Sequence, residues 1–146
     1  MQSGKSHLRS PGDILQCLRI AGLRPTRQRV ALARLLFGGD FRHITAEGLH
    51  GEAAGHGTHV SLATVYNTLH QFTAAGLLQE VVVDAGRSYI DTNVADHHHF
   101  VYEDSGRLED ISGQAVTISA LPAPPDGAQI ARIDVVIRLR GRPSEA

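Results

Sequence analysis

The chain has 146 residues, a formal net charge of -1 and one cysteine, and these values limit the classes of protein it can belong to. Its length suits one domain of ordinary size or two small ones. It has no apolar run of about eighteen residues, and the polar first ten residues do not resemble a secretion signal. A single Cys17 allows neither an internal disulfide nor a cysteine-pair zinc site. We therefore expect a cytoplasmic protein with no membrane partner.

Charge is distributed unevenly along the chain. Residues 1–60 contain eight Lys or Arg against four Asp or Glu, whereas residues 61–131 contain two against nine. A basic first part suits contact with phosphates, and an acidic, histidine-containing second part suits binding of cations.

Hydrophobic spacing predicts four helices in the first half of the chain. Three are preceded by residues that favour the N-cap position, namely Thr26, Thr45 and Ser61. The predicted helices are Pro11–Ala21, Thr26–Phe37, Thr45 to about Ala54, and Leu62–Phe72. In the fourth, the residues Leu62, Val65, Leu69 and Phe72 form one apolar stripe, and Asn67 lies on the opposite face.

Two strands, Leu77–Val83 and Arg87–Thr92, are predicted to follow the helices and to form a hairpin through a turn at residues 84–86. Helices followed by a two-stranded ribbon are typical of the winged helix-turn-helix, in which the last helix enters the major groove of DNA. A helical core with an incidental hairpin is the alternative. We interpret residues 1–92 as a winged-helix DNA-binding domain.

Residues 93–146 are predicted to be a second, smaller module, which makes the fold class α+β. Strands are expected at His99–Tyr102, Ala115–Ser119 and Ile133–Leu139, and a Pro-rich loop at residues 121–125. Residues 135–137 are apolar at successive positions, so we expect them to be buried on both faces.

Three segments carry a resemblance to a known family: Gly22-Leu-Arg-Pro-Thr-Arg-Gln-Arg29, Ser61-Leu-Ala-Thr-Val-Tyr-Asn-Thr-Leu69 and His97-His98-His99. In this order and spacing they resemble the ferric-uptake-regulator family over about residues 12 to 140. The resemblance implies a winged-helix domain, an α/β dimerisation and ligand-sensing domain, and metal sites. Its expected partners are double-stranded DNA with a palindromic sequence and a second copy of the chain.

Departures from the family pattern are similar to those of its haem-responsive branch, the iron response regulator subgroup. Tyr102 and Ser105 stand where many family members have a cysteine pair, so a structural thiolate zinc site is not expected. Asn67 stands where most members have a basic residue, which implies a different operator. Because Leu18 follows Cys17, the Cys-Pro haem motif of some subgroup members is not present there.

Six residues are predicted to contact DNA, namely Arg24, Arg27, Ser61, Thr64, Tyr66 and Asn67. The Asn67 amide can pair with an adenine edge, and the Tyr66 ring matches a family residue thought to contact a thymine methyl group. Ser61 and Thr64 are candidates for phosphate contact at a helix N-terminus. Arg24 matches a basic position that reaches the minor groove in the family, which favours an A·T-rich operator.

Arginines 27 and 29 are interpreted either as phosphate contacts or as a solvated helix face. The two interpretations carry equal weight for both residues.

Five residues match the metal-ligand positions of the family. They are His43, Asp91, His97, His99 and Asp110. Residues two apart in a strand share a face, so the outer two of the three successive histidines can hold one ion. Imidazoles and carboxylates suit iron(II), manganese or zinc.

Haem is the ligand that the subgroup resemblance favours. Its candidate axial ligands are His97, His98 and His99, with Phe100 and Val101 as part of an apolar wall.

These features lead to a haem-responsive transcription regulator as the first hypothesis. A regulator of the same family that senses a divalent metal or peroxide is the alternative. A small zinc hydrolase is a remote third, because the sequence has neither an HExxH motif nor a paired nucleophile and base. We do not expect an enzyme.

Overall fold

A computed structural model describes residues 11–84 and 87–141, and the chain divides into two compact units, residues 1–94 and 95–146. Part of the predicted hairpin turn, residues 85–86, lies outside the described residues. Within the described ranges, no helix combines the length and the apolar character needed to cross a membrane.

The first unit contains four helices, as predicted: α1 (Pro11–Ile20), α2 (Arg27–Phe37), α3 (Ala46–Gly55) and α4 (Leu62–Ala74). The three predicted N-caps are confirmed. The hydroxyls of Thr26, Thr45 and Ser61 each accept a hydrogen bond from the backbone N–H three residues later, at 3.0–3.2 Å. These bonds satisfy N–H groups that have no partner inside a helix, which is why the helices begin where they do.

One apolar cluster holds the four helices together. Its buried members run from Ile14 in α1 to Leu78 after α4, and the rings of Phe37 and Phe72 lie 6.2 Å apart within it. Leu62 belongs to the apolar stripe of α4 but, unlike Val65, Leu69 and Phe72, is 36 % exposed. A helical side chain leans over the turn that precedes it, and Leu62 is the first residue of α4, so it has no preceding turn to cover.

A three-stranded antiparallel sheet completes the first unit. It contains β1 (His43–Ile44), β2 (Gln79–Asp84) and β3 (Arg87–Asp91) in the order β1-β3-β2. The hairpin of β2 and β3 was expected, but β1 was not, because two residues are too few to show an alternating pattern. This short strand pairs His43 with Asp91.

The second unit contains a separate three-stranded sheet of β4 (His97–Tyr102), β5 (Leu108–Ser112) and β6 (Val136–Leu139). Strand β4 is central, antiparallel to β5 and parallel to β6. The strand predicted at residues 115–119 is wrong. The strand forms instead at β5, where the exposed Glu109 and Asp110 interrupt the apolar alternation that would have predicted it.

The second unit leaves much apolar surface exposed. Among its described residues, the buried apolar side chains are Val101, Leu108 and Ile111. In contrast, Leu121 is 51 % exposed, Ile130 50 % and Ile137 38 %. The expected burial of residues 135–137 on both faces is therefore wrong for the single chain, because β6 lies at an edge of its sheet.

Candidate functional site

Two buried histidines and one carboxylate converge on one face of the second sheet. His97 and His99 are 9 % and 2 % exposed, and the strand partner of His99 is Asp110 on β5. Atom Oδ1 of Asp110 lies 3.5 Å from Nε2 of His97 and 3.4 Å from Nε2 of His99. The alternation of β4 brings the two imidazoles to the same face, with ring centroids 4.6 Å apart.

The backbone selects the tautomer of His97 that suits a metal ligand. Its Nδ1–H donates to the carbonyl of Ala95 at 2.5 Å, which leaves the lone pair on Nε2. An imidazole held in this way by its second nitrogen is the usual arrangement of a metal-binding histidine.

His98 belongs to the opposite face and has a different role. Its Nδ1 accepts a hydrogen bond from the backbone N–H of Val135 at 3.1 Å, just before β6. The neutral ring therefore carries its proton on Nε2, where a ligand lone pair would be needed. His98 holds the start of β6 against β4 instead of joining the other two histidines.

In the first unit, His43 and Asp91 form a second pair of candidate ligands. They are partners in the register of β1 and β3, and Nε2 of His43 lies 3.2 Å from Oδ2 of Asp91. The Asp91 carboxylate is fully buried and also accepts the backbone N–H of Asn93 at 2.9 Å. A buried carboxylate needs such donors or a cation, because an uncompensated buried charge is costly.

The separations within each group fit metal binding. Ligands about 2.1 Å from one ion lie about 3.0–3.4 Å from each other at octahedral or tetrahedral angles. The distances of 3.2 Å in the first unit and 3.4–3.5 Å in the second are close to this range. Nitrogen and carboxylate donors of this kind suit a divalent first-row ion.

Arg42, which precedes His43, ties the first pair to two helices. Its guanidinium donates to both carboxylate oxygens of Glu52 on α3, at 2.6 and 2.8 Å, and to the carbonyl of Leu35 on α2 at 3.2 Å. Its backbone exchanges hydrogen bonds with Thr92, next to Asp91. The hydrogen bond from Arg42 lowers the pKa of Glu52 and keeps its carboxylate charged. Sequence reasoning missed this network, because nothing local links Arg42 to Glu52.

Helix α4 presents the predicted base-reading residues. Asn67 is exposed, and Tyr66 is 41 % exposed. The Tyr66 hydroxyl donates to Oε1 of Glu47 on α3 at 2.5 Å, which raises the pKa of the tyrosine and lowers the pKa of the carboxyl. Glu47 thus orients the tyrosine ring, a role that the sequence did not indicate.

The two hydroxyls predicted to hold phosphates are engaged with each other. Ser61 caps α4 by accepting the Thr64 N–H, and the two side-chain oxygens lie 2.8 Å apart. They form the ordered N-terminal end of the helix that carries Asn67.

Arg24 and Arg27 are exposed around the start of α2, as surface contacts with DNA require. Arg29 is half-buried and differs from both of them. Its guanidinium donates to Gln71 of α4 and to the backbone carbonyl of Arg24. Neither interpretation from the sequence anticipated these contacts within the protein.

Comparison with known proteins bears directly on this arrangement. The ferric uptake regulator family matches residues 20–136. The chain is 33 % identical over 105 residues to the ferric uptake regulation protein of Vibrio parahaemolyticus, covering 71 % of this chain and 70 % of that protein. It is also 33 % identical over 98 residues to the peroxide operon regulator of Bacillus subtilis, covering 67 % of each.

A solved structure gives the same result. The ferric uptake regulator of Pseudomonas aeruginosa, solved with manganese, superposes with a TM-score of 0.66 at 28 % identity, over 88 % of this chain and 97 % of that chain. The chain therefore belongs to the ferric uptake regulator family and, as expected from its sequence, is a transcription regulator and not an enzyme.

Proposed function

We propose that this regulator binds A·T-rich palindromic DNA as a homodimer, with an affinity that depends on a divalent first-row metal ion held by its histidines and aspartates. The observation that carries the proposal is the group of His97, His99 and Asp110. These ligand atoms lie within 4.8 Å of one another. Two of the three side chains are buried, and a buried cluster of this composition is unusual unless it holds a cation.

The family resemblance supports His43 and Asp91 as metal ligands as well. The imidazole and carboxylate donors present in each group suit iron(II), manganese or zinc. A bound ion would supply a positive charge beside the carboxylate of the group that holds it. Because Arg42 links the β1 pair to α2 and α3, changes at His43 can reach the helices of the winged-helix unit.

Haem, the first hypothesis from the sequence, becomes the second candidate. Its three predicted axial ligands are not equivalent, since Nδ1 of His98 accepts a backbone hydrogen bond. The other two are almost fully buried, as is Val101, which was expected to line an apolar haem wall. A haem needs an accessible face beside its ligand, so these side chains favour a small ion. A peroxide response through a bound metal would use the same ligands, and the relative from Bacillus subtilis supports keeping it as an alternative.

A homodimer is supported by the exposed apolar side chains of the second unit. Leu121, Ile130 and Ile137 are 38–51 % exposed in the single chain. A second copy that covers these side chains would supply the burial that a unit of this size lacks. Twofold symmetry of the protein would then require a palindromic operator.

The test of the ligand is a titration of the metal-free protein with Mn²⁺, Zn²⁺ and, without oxygen, Fe²⁺, against a chelating dye, with a parallel haemin titration by absorbance. We expect the double variants His97→Ala/His99→Ala and His43→Ala/Asp91→Ala each to lower metal affinity by more than about 100-fold. His98→Ala is the matched control and should retain the metal. If His98→Ala abolished a ligated haem spectrum and left metal binding unchanged, the haem hypothesis would replace the one proposed.

The test of the DNA role uses duplexes selected by the wild-type protein from a random library, compared with scrambled versions. Asn67→Ala should lower sequence discrimination by about 1–3 kcal/mol, because it removes a direct base contact. Arg27→Ala should weaken binding to both duplexes equally, since a phosphate contact carries no sequence information. Equal losses on both duplexes for Asn67→Ala would rule out its base-reading role.

A further inference from the structure

Arg29 joins two DNA-facing segments that are distant in sequence. Its Nε and Nη2 donate to Oε1 of Gln71 on α4, at 3.2 and 2.9 Å, and its Nη1 donates to the backbone carbonyl of Arg24 at 2.9 Å. We propose that Arg29 is a positioning residue that locks the Arg24 turn to α4 and so determines sequence discrimination, without itself contacting DNA. The inference rests on the proposed DNA-binding function.

The turn held by Arg29 is the one that carries Arg24. The Arg24 carbonyl accepts a second hydrogen bond from the N–H of Thr26, and Thr26 in turn caps α2 by accepting the N–H of Arg29. The backbone and the side chain of Arg29 therefore hold the turn of residues 24–26 at both of its ends. The two hydrogen bonds to the Arg24 carbonyl therefore fix the backbone position of Arg24.

The other end of the contact lies on α4. Gln71 is exposed and stands four residues after Asn67, so the two side chains occupy the same helix face one turn apart. A guanidinium is a planar, rigid fork, and two donors on one oxygen restrain the helix more than a single flexible ammonium could. The bond to Gln71 therefore links the turn that carries Arg24 to the face of α4 that carries the Asn67 amide.

The geometry also argues against a phosphate role for Arg29. Its guanidinium has five N–H donors, and three of its nitrogen atoms already donate inside the protein. The side chain is half-buried, unlike that of Arg27 two residues earlier. A phosphate would have to be held by the two remaining N–H groups alone, one on each Nη, or displace Gln71 or the Arg24 carbonyl.

The test uses three full-length variants of unchanged net charge: Arg29→Lys, Gln71→Ala and the double variant. Binding to the selected and scrambled duplexes is measured over a range of salt concentrations. We expect each single variant to lose on the order of tenfold in affinity for the selected duplex, the size expected for hydrogen bonds to a charged group. Binding to the scrambled duplex and the salt dependence should stay unchanged. The double variant should lose no more than Arg29→Lys alone, because that variant already removes the contact with Gln71.

Arg34→Lys, the same change at another exposed arginine of α2, is the matched control and should keep its affinity for both duplexes. Full retention of discrimination by Arg29→Lys, or additive losses in the double variant, would overturn the proposal. The first result would indicate a simple charge contact, and the second an independent contact of Gln71 with DNA. If the wild-type protein itself fails to distinguish the two duplexes, the proposed DNA-binding function is at fault instead. Circular dichroism and thermal unfolding of each variant separate these outcomes from a loss of fold.

Discussion

The two units of this chain obtain their stability in different ways. The main apolar cluster lies wholly in the first unit, between residues 14 and 78, where three capped helices and a hairpin surround it. The second unit is a three-stranded sheet in which residues 116–135 form no regular element and expose Ile118, Leu121 and Ile130. The first unit therefore contains its own core, whereas the described part of the second unit buries few apolar side chains, and under the proposed function a cation and a second copy would supply what it lacks.

The largest effects are expected from truncating one buried side chain in each unit. Phe72→Ala should destabilise the first unit by about 3–5 kcal/mol, because a fully buried ring is replaced by a cavity. Val101→Ala removes two methyl groups and should cost about 2 kcal/mol in the second unit. Amide hydrogen exchange of the metal-free protein, followed residue by residue, measures the loss of stability in each unit for both variants. Equal loss of protection in both units for either variant would contradict separate cores.

Removal of exposed apolar side chains tests the dependence of the second unit on a partner. We expect Leu121→Ser combined with Ile130→Ser to weaken dimerisation by about 3 kcal/mol, roughly 100-fold, since a twofold dimer carries each change twice and burial of the exposed half of each side chain contributes about 0.75 kcal/mol. Sedimentation velocity over a dilution series measures this. Val82→Ser, which changes a side chain 64 % exposed in the first unit, is the control and should leave the dimer unchanged. A wild-type protein that is already monomeric would contradict the proposal that a second copy covers these side chains.

The smallest expected effect concerns the Arg42–Glu52 pair of the first unit. The pKa of Glu52 is lowered in the folded protein, chiefly by the hydrogen bond from Arg42. The pair therefore stabilises the fold at pH values above the pKa of glutamate in the unfolded chain, about 4.3. This contribution to stability is lost as the pH falls through the lower pKa that Glu52 has in the folded protein. Because the pair is about one-third exposed, Glu52→Gln should cost at most about 1 kcal/mol at neutral pH.

Urea unfolding of wild type and Glu52→Gln at pH 7 and at pH 3 measures that difference. The difference in free energy of unfolding between the two proteins should be smaller at pH 3 than at pH 7. The same difference in free energy of unfolding at both pH values would indicate that the substitution acts through packing and not through charge.

The helices, their caps and the family could all be predicted from the sequence alone. Helical periodicity and N-cap preference are local properties, so the ends set by Thr26, Thr45 and Ser61 could be read directly. The alternation of β4 likewise separates His97 and His99 from His98 without knowledge of the partner strands.

Only the tertiary structure decided which segments pair and which side chains meet. Strand pairing depends on residues far apart in sequence, so β1 was not expected, and β5 formed in place of a strand at residues 115–119. For the same reason, the sequence could identify His43 and Asp91 only through a family resemblance, whereas the register of β1 and β3 brings them within 3.2 Å. Arg29 is the clearest case. Its sequence position indicated a surface cation, but the packing of α4 beside α2 supplied Gln71 as its partner, 42 residues away.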